Sequence, residues 1–246
     1  TQTVMAMLTN AGHQAHAVGG CVRNALLGVP VSDVDIATDA RPDRVMALAA
    51  AAGLKAVPTG IDHGTVTVVA AGEGYEITTW RADVETDGRR AVVAFADSMA
   101  QDALRRDFTM NALYAAPDGA LVDPLGGLPD LRARRVRFIE DADRRIREDY
   151  LRILRFFRFS AFYADPDQGW EADTLAAVAA NVDGMAQLSR ERVGQEVLKL
   201  LSAPDPAPAV AVMARTGVLA QALPGASAAA LGPLVMIEDA MDLRPD

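Results

Sequence analysis

"VGGCVRNALLGVPVSDVDIATDA" (18–40) joins a glycine pair, one arginine and two alternating aspartates in a single short span. The run "SDVDIAT" (32–38) alternates polar and apolar residues, which predicts a strand. Residues two apart on a strand share a face, so Asp33 and Asp35 should project side by side while Val34 and Ile36 face a core. Two adjacent carboxylates repel one another unless a cation lies between them. Magnesium suits that position, because it takes carboxylate and phosphate oxygens and keeps some of its waters. Gly19 and Gly20 permit close backbone approach, and a helix from Cys21 to Gly28 would aim its first N–H groups at an anion. Arg23 adds a planar donor fork suited to phosphate. Read together, the residues describe a site for a Mg-nucleoside triphosphate.

The surroundings of this span are legible by the same rules. "VMAMLTNAG" (4–12) reads as a helix closed by Gly12, and "QAHAVGG" (14–20) as a short strand entering the glycine turn. "RPDRVMALAAAAG" (41–53) reads as a helix with Pro42 near its start and Gly53 past its end. "GTVTVVAAGEGYEITTW" (64–80) predicts two strands around a "GEG" turn, and "ETDGRRA" (85–91) a polar, mobile loop. From 99 onward helices dominate, interrupted by "DPLGGLPDL" (123–131), a strand expected over 134–139 and a proline-rich break at 202–210. Strands in front and helices behind argue an α+β part followed by an all-α part.

Composition bounds the chemistry. Half of the 246 residues are hydrophobic, enough for a real core. No apolar run approaches the roughly 20 residues that span a bilayer, so no membrane partner is expected. The chain opens on Thr1 rather than methionine, and a longer native N-terminus is expected. Cys21 is the only cysteine, which points to a reducing cytoplasm. His13, His16 and His63 are too scattered for a histidine metal cluster, so any metal should be a hard one held by carboxylates. The net charge of −9 argues against nucleic acid until its distribution is considered. Residues 132–158 carry ten arginines against five acids, while both flanks are acidic. A solvated helical face is the usual home of such a run, but an all-arginine cluster favours phosphate or base-edge recognition.

The ordered pair of a Gly-Gly turn and "DVDI" resembles the nucleotidyltransferase superfamily signature. The likeness continues through "HGTVTVV", "YEITTWR", "DGRR", "ALRRDFTMNALY", "DPLGGLPDL", "EDYLRILRFFRF" and "LSRERVGQEVLKLL", in order from 18 to 201. Together these resemble the class II tRNA nucleotidyltransferases (CCA-adding enzymes) and the related bacterial poly(A) polymerases. The resemblance implies an α+β nucleotidyltransferase head with a mixed β-sheet at 1–140, a helical neck at 141–200 and the start of a helical body at 201–246. It also implies transfer of C and A from CTP and ATP to the 3′ end of tRNA, with two Mg²⁺ held by Asp33 and Asp35. The family's long tail, which grips the tRNA body, is absent from these residues, so either a fragment or weak tRNA binding is expected. Asn24 stands where the family usually has Asp. "PTGIDHGTV" (58–66) stands where poly(A) polymerases carry a basic stretch, which favours tRNA. A poly(A) polymerase and a catalytically silent RNA-binding or nucleotide-sensing module are the alternatives.

Within that family the remaining motifs acquire roles. Glu76 alone reads as an ordinary exposed strand residue; beside Asp33 and Asp35 it becomes a third carboxylate, able to take a proton. Arg105 and Arg106 read as first-turn helix charges, which oppose the helix dipole unless an anion binds there. By resemblance Arg105 contacts the nucleotide with Gly19, Gly20 and Arg23, while Asp107 and Asn111 organise the site and Phe108, Met110 and Leu113 fill the core. Asp149, Arg152, Arg155 and Arg158 recur every third residue, and helical drift of about 60° per step keeps all four from one base. Asp149 with Arg152 is therefore the expected base reader. Arg155 and Arg158, counted with the nucleotide site in the family, are expected to meet phosphate or brace the helix. A carboxylate accepts from the amino group shared by C and A, and a guanidinium donates to the ring nitrogen beside it. Uracil and guanine place a carbonyl against that carboxylate and are rejected.

Overall fold

The computed structural model describes residues 1–83 and 93–243, and the chain divides into two compact units, Thr1–Arg132 and Ala133–Asp246. The loop expected at 85–91 lies outside the described residues. The division falls between Arg132 and Ala133, against the 140/141 boundary inferred from sequence.

In the first unit, α1 (Gln2–Thr9), β1 (Ala15–Val18), α2 (Gly20–Leu27), β2 (Ile36–Thr38) and α3 (Pro42–Ala51) come first. They are followed by β3 (Lys55–Gly60), β4 (Thr65–Ala70), β5 (Glu73–Thr79), β6 (Arg81–Asp83) and β7 (Val93–Phe95). The unit closes with α4 (Met99–Leu104), β8 (Tyr114–Ala115), β9 (Leu121–Val122) and α5 (Leu128–Arg132). Seven strands form one sheet in the order β3-β4-β5-β2-β1-β8-β9. Every pair in it is antiparallel except β2 with β5. One face is sealed by α1 and α3, whose Val4, Met5, Leu8, Val45 and Ala49 pack with Ile36, Val66, Val68, Tyr75 and Ile77. That alternation of inward Val66, Val68 and Ala70 with outward Thr65, Thr67 and Val69 is the period-2 pattern of a one-sided strand.

Local signals placed the helix ends well. α2 stops at Gly28 (φ 68°) and α3 is followed by Gly53 (φ 69°), both left-handed, while Pro42 opens α3. Four details differ from the sequence reading. The β4–β5 turn is Ala71–Gly72, both with positive φ (53° and 84°), so Glu73 already lies in the strand. β2 begins only at Ile36, so Asp33 and Asp35 precede the strand rather than sit on it. The cause is that β1 ends at Val18, whose N–H bonds the Asp35 carbonyl, and the chain then turns away at Gly19. No strand forms over 134–139, where only Phe138 makes an isolated single-residue bridge. Finally, Tyr114–Ala115 joins the sheet beside β1 rather than extending a helix.

The described residues of the second unit form α6 (Ala142–Glu148), α7 (Leu151–Tyr163), α8 (Ala172–Asn181), α9 (Arg190–Leu201), α10 (Ala207–Arg215), α11 (Val218–Ala222) and α12 (Leu231–Ala240). α7 is its axis, burying Leu151, Ile153, Leu154, Phe156 and Phe157 as its apolar spacing requires. Phe156 stacks on Phe138 with centroids 5.7 Å apart, and Trp170 meets both Phe156 and Phe157 at 5.6 Å.

One close approach gives a stability test. A Cβ on Gly127 would lie 2.2 Å from the Thr109 carbonyl oxygen, so α5 can reach the turn at 109–111 only without a side chain there. Gly127→Ala should cost about 1–3 kcal/mol of stability, the range for overpacking. Chemical denaturation of the two proteins measures it, and an unchanged midpoint would contradict the tight contact.

Candidate active site

The glycine pair is a hinge between sheet and helix. Gly19 has φ 75° and ψ −123°, a conformation that side chains oppose, and it caps the start of α2. Its N–H donates to the Leu113 carbonyl at 3.1 Å, which fixes the turn beside β8. A Cβ at Gly19 would stand 3.2 Å from Arg106 Nη1, and one at Gly20 would stand 3.7 Å from Arg23 Nη2. Two guanidinium groups thus lie against the backbone of the turn.

Arg23 is buried and held from both sides. Its Nη1 donates to Asn111 Oδ1 at 2.7 Å, and its Nε and Nη2 donate to Asn24 Oδ1 at 3.1 and 2.8 Å. Asn111 in turn donates to Asp107 Oδ1 at 2.9 Å. Asn24 also donates through Nδ2 to the Pro30 carbonyl at 3.0 Å, in the segment that leads to Asp33. An aspartate at 24 would accept from Arg23 more strongly, as a charged acceptor, but has no proton for Pro30.

Arg105 and Arg106 end α4 instead of beginning a helix; Arg105 is the C-cap, where positive charge suits the dipole. Both reach back to Asp102, a carboxylate 1% exposed: Arg105 Nε to Oδ1 and Arg106 Nη2 to Oδ2, each at 3.1 Å. The Tyr114 hydroxyl donates to Asp102 Oδ2 at 2.8 Å and the Arg81 N–H to Oδ1 at 3.1 Å. Burial alone would raise the Asp102 pKa, but Arg106, Arg105 and these donors hold it below its ordinary value. The sequence reading assigns Asp102 no role and gives Arg106 only the anion it would share with Arg105. Their signal was the i, i+3 and i, i+4 spacing of Asp102 to the two arginines.

The carboxylates meet through the one parallel strand pair. β2 and β5 align Ile36 with Ile77, so Asp35 comes in beside Glu76 one step earlier. Asp33 accepts from the Ser32 hydroxyl at 2.9 Å. The Asp35 pKa is raised, first because neighbours strip water from its carboxyl, then by the charges of Glu76 and Asp33, with Arg106 opposing. Like charges in excess of nearby cations are what a divalent ion would relieve. Among the described residues no three His, Cys, Asp or Glu side chains form a cage for a metal. The donors present fit magnesium held by one or two carboxylates, with substrate or water oxygens completing the shell.

In the second unit the base-reading candidates occupy a junction. Asp149 is the C-cap of α6, ahead of α7 rather than in it, and its Oδ1 accepts the Leu151 N–H at 3.1 Å. Its Oδ2 accepts from Arg192 of α9 at 2.9 Å. Arg152 donates to Glu148 Oε2 and to the Arg145 carbonyl, both at 2.7 Å. Arg158 Nε donates to the buried Glu196 at 2.6 Å, Arg155 lies 3.8 Å from the same carboxylate, and both lie over the Phe159 ring. Glu148, Arg192 and Glu196 were not singled out from sequence, because their partners are fixed only once α6, α7 and α9 pack.

A one-sided mixed sheet with carboxylates beside a Gly-Gly turn, on the same chain as a helical unit, defines a nucleotidyltransferase-type head. The poly A polymerase head domain matches residues 15–137, and the probable RNA and SrmB-binding site of polymerase A matches 170–230. The chain belongs to the poly A polymerase head domain family. It is 42% identical over 224 residues to a CCA-adding enzyme of Geobacillus thermodenitrificans, covering 90% of this chain and 54% of the relative. It is 41% identical over 196 residues to the human mitochondrial CCA tRNA nucleotidyltransferase 1, covering 79% and 45%. The Bacillus stearothermophilus CCA-adding enzyme in complex with CTP superposes with a TM-score of 0.81 at 40% identity, over 91% of this chain and 53% of that one. A tRNA nucleotidyltransferase complexed with a primer tRNA and an incoming ATP analog gives 0.77 at 26% identity, over 97% and 68%. The chain spans about half the length of the named relatives it matches. Among the described residues no helix is long and apolar enough to cross a membrane.

The raised Asp35 pKa carries a stability test. A carboxylate whose folded pKa lies above its unfolded value costs stability as pH rises from the unfolded value through the folded one. The cost grows from the ordinary carboxylate range up through the folded pKa and is constant above it. Asp35→Asn should therefore raise the metal-free thermal midpoint at pH 7, and the gap should close below the ordinary carboxylate range. Mg²⁺ should raise the wild-type midpoint and leave the variant's unmoved. A variant that melts lower at pH 7 would show that Asp35 is held by favourable contacts instead.

Proposed function

We propose that this chain is the catalytic part of a template-independent RNA nucleotidyltransferase that adds C and A to the 3′ end of tRNA. The observation that carries this reading is the register of β2 on β5, which sets Asp35 beside Glu76 next to the Gly19 turn. The RNA 3′-hydroxyl attacks the α-phosphate of CTP or ATP, the bond to the β-phosphate oxygen breaks, and pyrophosphate leaves. Glu76 takes the hydroxyl proton. Gly19 and Gly20 let the triphosphate approach the backbone at the start of α2, and Arg23, Arg105 and Arg106 neutralise its charge. Asp33 and Asp35 hold Mg²⁺, which when bound lowers the pKa of the attacking hydroxyl and offsets charge on the leaving oxygens.

Base choice is assigned to Asp149 and Arg152. Arg192 holds the Asp149 carboxylate and Glu148 holds Arg152, so each group meets the base in a set orientation. The arginines of 132–158 supply phosphate contacts to the RNA. The cytoplasm is the proposed compartment.

Incubation with tRNA lacking its 3′ end, Mg²⁺ and each labelled nucleotide tests the assignment. Label taken only from CTP and ATP and stopping at CCA supports it; long A tails would instead make the chain a poly(A) polymerase. Asp33→Ala should abolish incorporation of both nucleotides with the fold retained, and near-normal turnover would remove it from the metal site.

Asp149→Ala tests base reading separately from chemistry. CTP and ATP lose a charge-assisted hydrogen bond worth roughly 1.5–3 kcal/mol, while UTP loses a repulsion. The ratio of kcat/KM for CTP over UTP should fall, whereas Arg152→Ala should weaken CTP without lifting UTP. Equal slowing of all four nucleotides by Asp149→Ala would reduce Asp149 to the cap it provides for α7.

A further inference from the structure

The face of the head sheet opposite α1 and α3 carries a short polar strip beside the carboxylates. Reading across the strands from Asp35, the register runs to Glu76 on β5, Thr67 on β4 and Val57 on β3. The Thr67 hydroxyl pairs with that of Thr59 at 2.7 Å, which places Thr59 on the same face. One row back toward Gly60, Thr65 and Thr78 pair their hydroxyls at 3.0 Å. One row the other way, Val69 lies between Gly74 and Lys55. Lys55 points away from the core because its neighbour Ala56 packs into it. Glu76, Gly74, Thr59 and Lys55 are exposed, and Thr67 is half-buried.

We propose that this strip seats the last nucleotide of the RNA being extended. The Thr67–Thr59 hydroxyls take the 2′-hydroxyl of the terminal ribose, and Lys55 takes the phosphate on its 5′ side. The inference rests on the reading of Asp33, Asp35 and Glu76 as the reaction centre. Three features of the strip fit a ribose phosphate rather than another ligand. The hydroxyls beside Glu76 are neutral, as a group next to a carboxylate must be to receive a sugar. Lys55 stands one row along the strands and two strands across from Glu76, about 7 Å by about 10 Å, a diagonal that one nucleotide and a lysine side chain together can span. Beside Glu76 on β5, Gly74 offers no side chain, and a Cβ there would stand 3.3 Å from Thr67 Cγ2, so the surface stays low on that side. A hydroxyl pair can donate and accept at once, which matches a 2′-hydroxyl and gives the site a way to prefer RNA over DNA ends.

The test pairs one side chain with one substrate atom. Thr67→Val keeps a β-branched residue on the strand and removes only the hydroxyl. Substrates are tRNA lacking its 3′ CCA and the same RNA whose last sugar is 2′-deoxy with its 3′-hydroxyl intact. Thr67→Val should raise the KM for the ribose-ended RNA roughly three- to tenfold, the effect of one neutral hydrogen bond, with kcat and the KM for CTP nearly unchanged. The deoxy end should cost the wild type the same factor and cost Thr67→Val nothing more. Lys55→Ala should raise the RNA KM several-fold and lower the slope of log KM against log salt by about one. If Thr67→Val still loses as much as the wild type on the deoxy end, or Lys55→Ala leaves the RNA KM unmoved, the strip does not seat the RNA. Should the wild type extend no RNA at all, the parent reading fails. The same comparisons by fluorescence anisotropy of the labelled RNAs then decide the strip, equal affinities overturning it.

Discussion

Asp35 and Glu76 are brought into one row by the only parallel contact in a sheet that is otherwise antiparallel. Everything around them answers the resulting repulsion. Arg106 is the cation that acts on Asp35, and it is aimed by the buried Asp102 and by Tyr114. The same Asp102 anchors Arg105, so one desolvated carboxylate fixes two guanidinium groups that would otherwise wander with their long side chains. Gly19 then matters twice: its positive φ lets the chain leave β1 for α2, and its missing side chain leaves room for Arg106. Substituting either feature would disturb the other, because they share the same few ångströms.

The second layer of the site is made of amides rather than charges. Asn111 and Asn24 divide the Arg23 guanidinium between them, and each amide spends its other end elsewhere: on Asp107, or on the Pro30 carbonyl. Asn24 therefore links Arg23 to the segment that delivers Asp33 and Asp35. The family's usual aspartate would strengthen the pull on Arg23 and surrender that link. With Asn24 the orientation of the carboxylate segment is tied directly to the arginine, at the cost of a weaker, neutral acceptor.

What could be read from sequence follows from how local each determinant is. Gly28, Gly53 and Pro42 punctuate helices through their own φ preferences, and the outward Thr65 and Thr67 alternate with inward valines whatever the partner strand. Asp33, Asp35, Glu76 and Arg23 were legible as candidates for the same reason, since residue type and spacing lie within short motifs. The limits of β2 were not, because a strand exists only where a neighbour can bond it, and β1 turns away after Val18. The direction of the Arg105–Arg106 pair was ambiguous: "MAQDAL" before it and "FTMNAL" after it both carry helical spacing, and only the burial of Asp102 shows that the pair closes the first. Residues 134–139 have the β-branched and aromatic content of a strand, yet only Phe138 among them makes a single bridge, since such content does not by itself supply a partner strand.

In the proposed reading the helical unit must show a base one acceptor and one donor without letting them neutralise each other. The structure gives each its own partner: Asp149 is drawn to Arg192 on α9, and Arg152 is held by Glu148 and by the Arg145 carbonyl on the α6 side. Placing Asp149 at the break between α6 and α7 contributes to this, because its Oδ1 caps Leu151 and limits the carboxylate to one rotamer. Had Asp149 continued into α7, it would face Arg152 one turn away and close on it as an ordinary helix ion pair. The break in the helix and the two bracing partners are thus one device. It gives the carboxylate and the guanidinium separate partners, and under the proposed function that is the condition for reading two hydrogen-bonding positions on a single base.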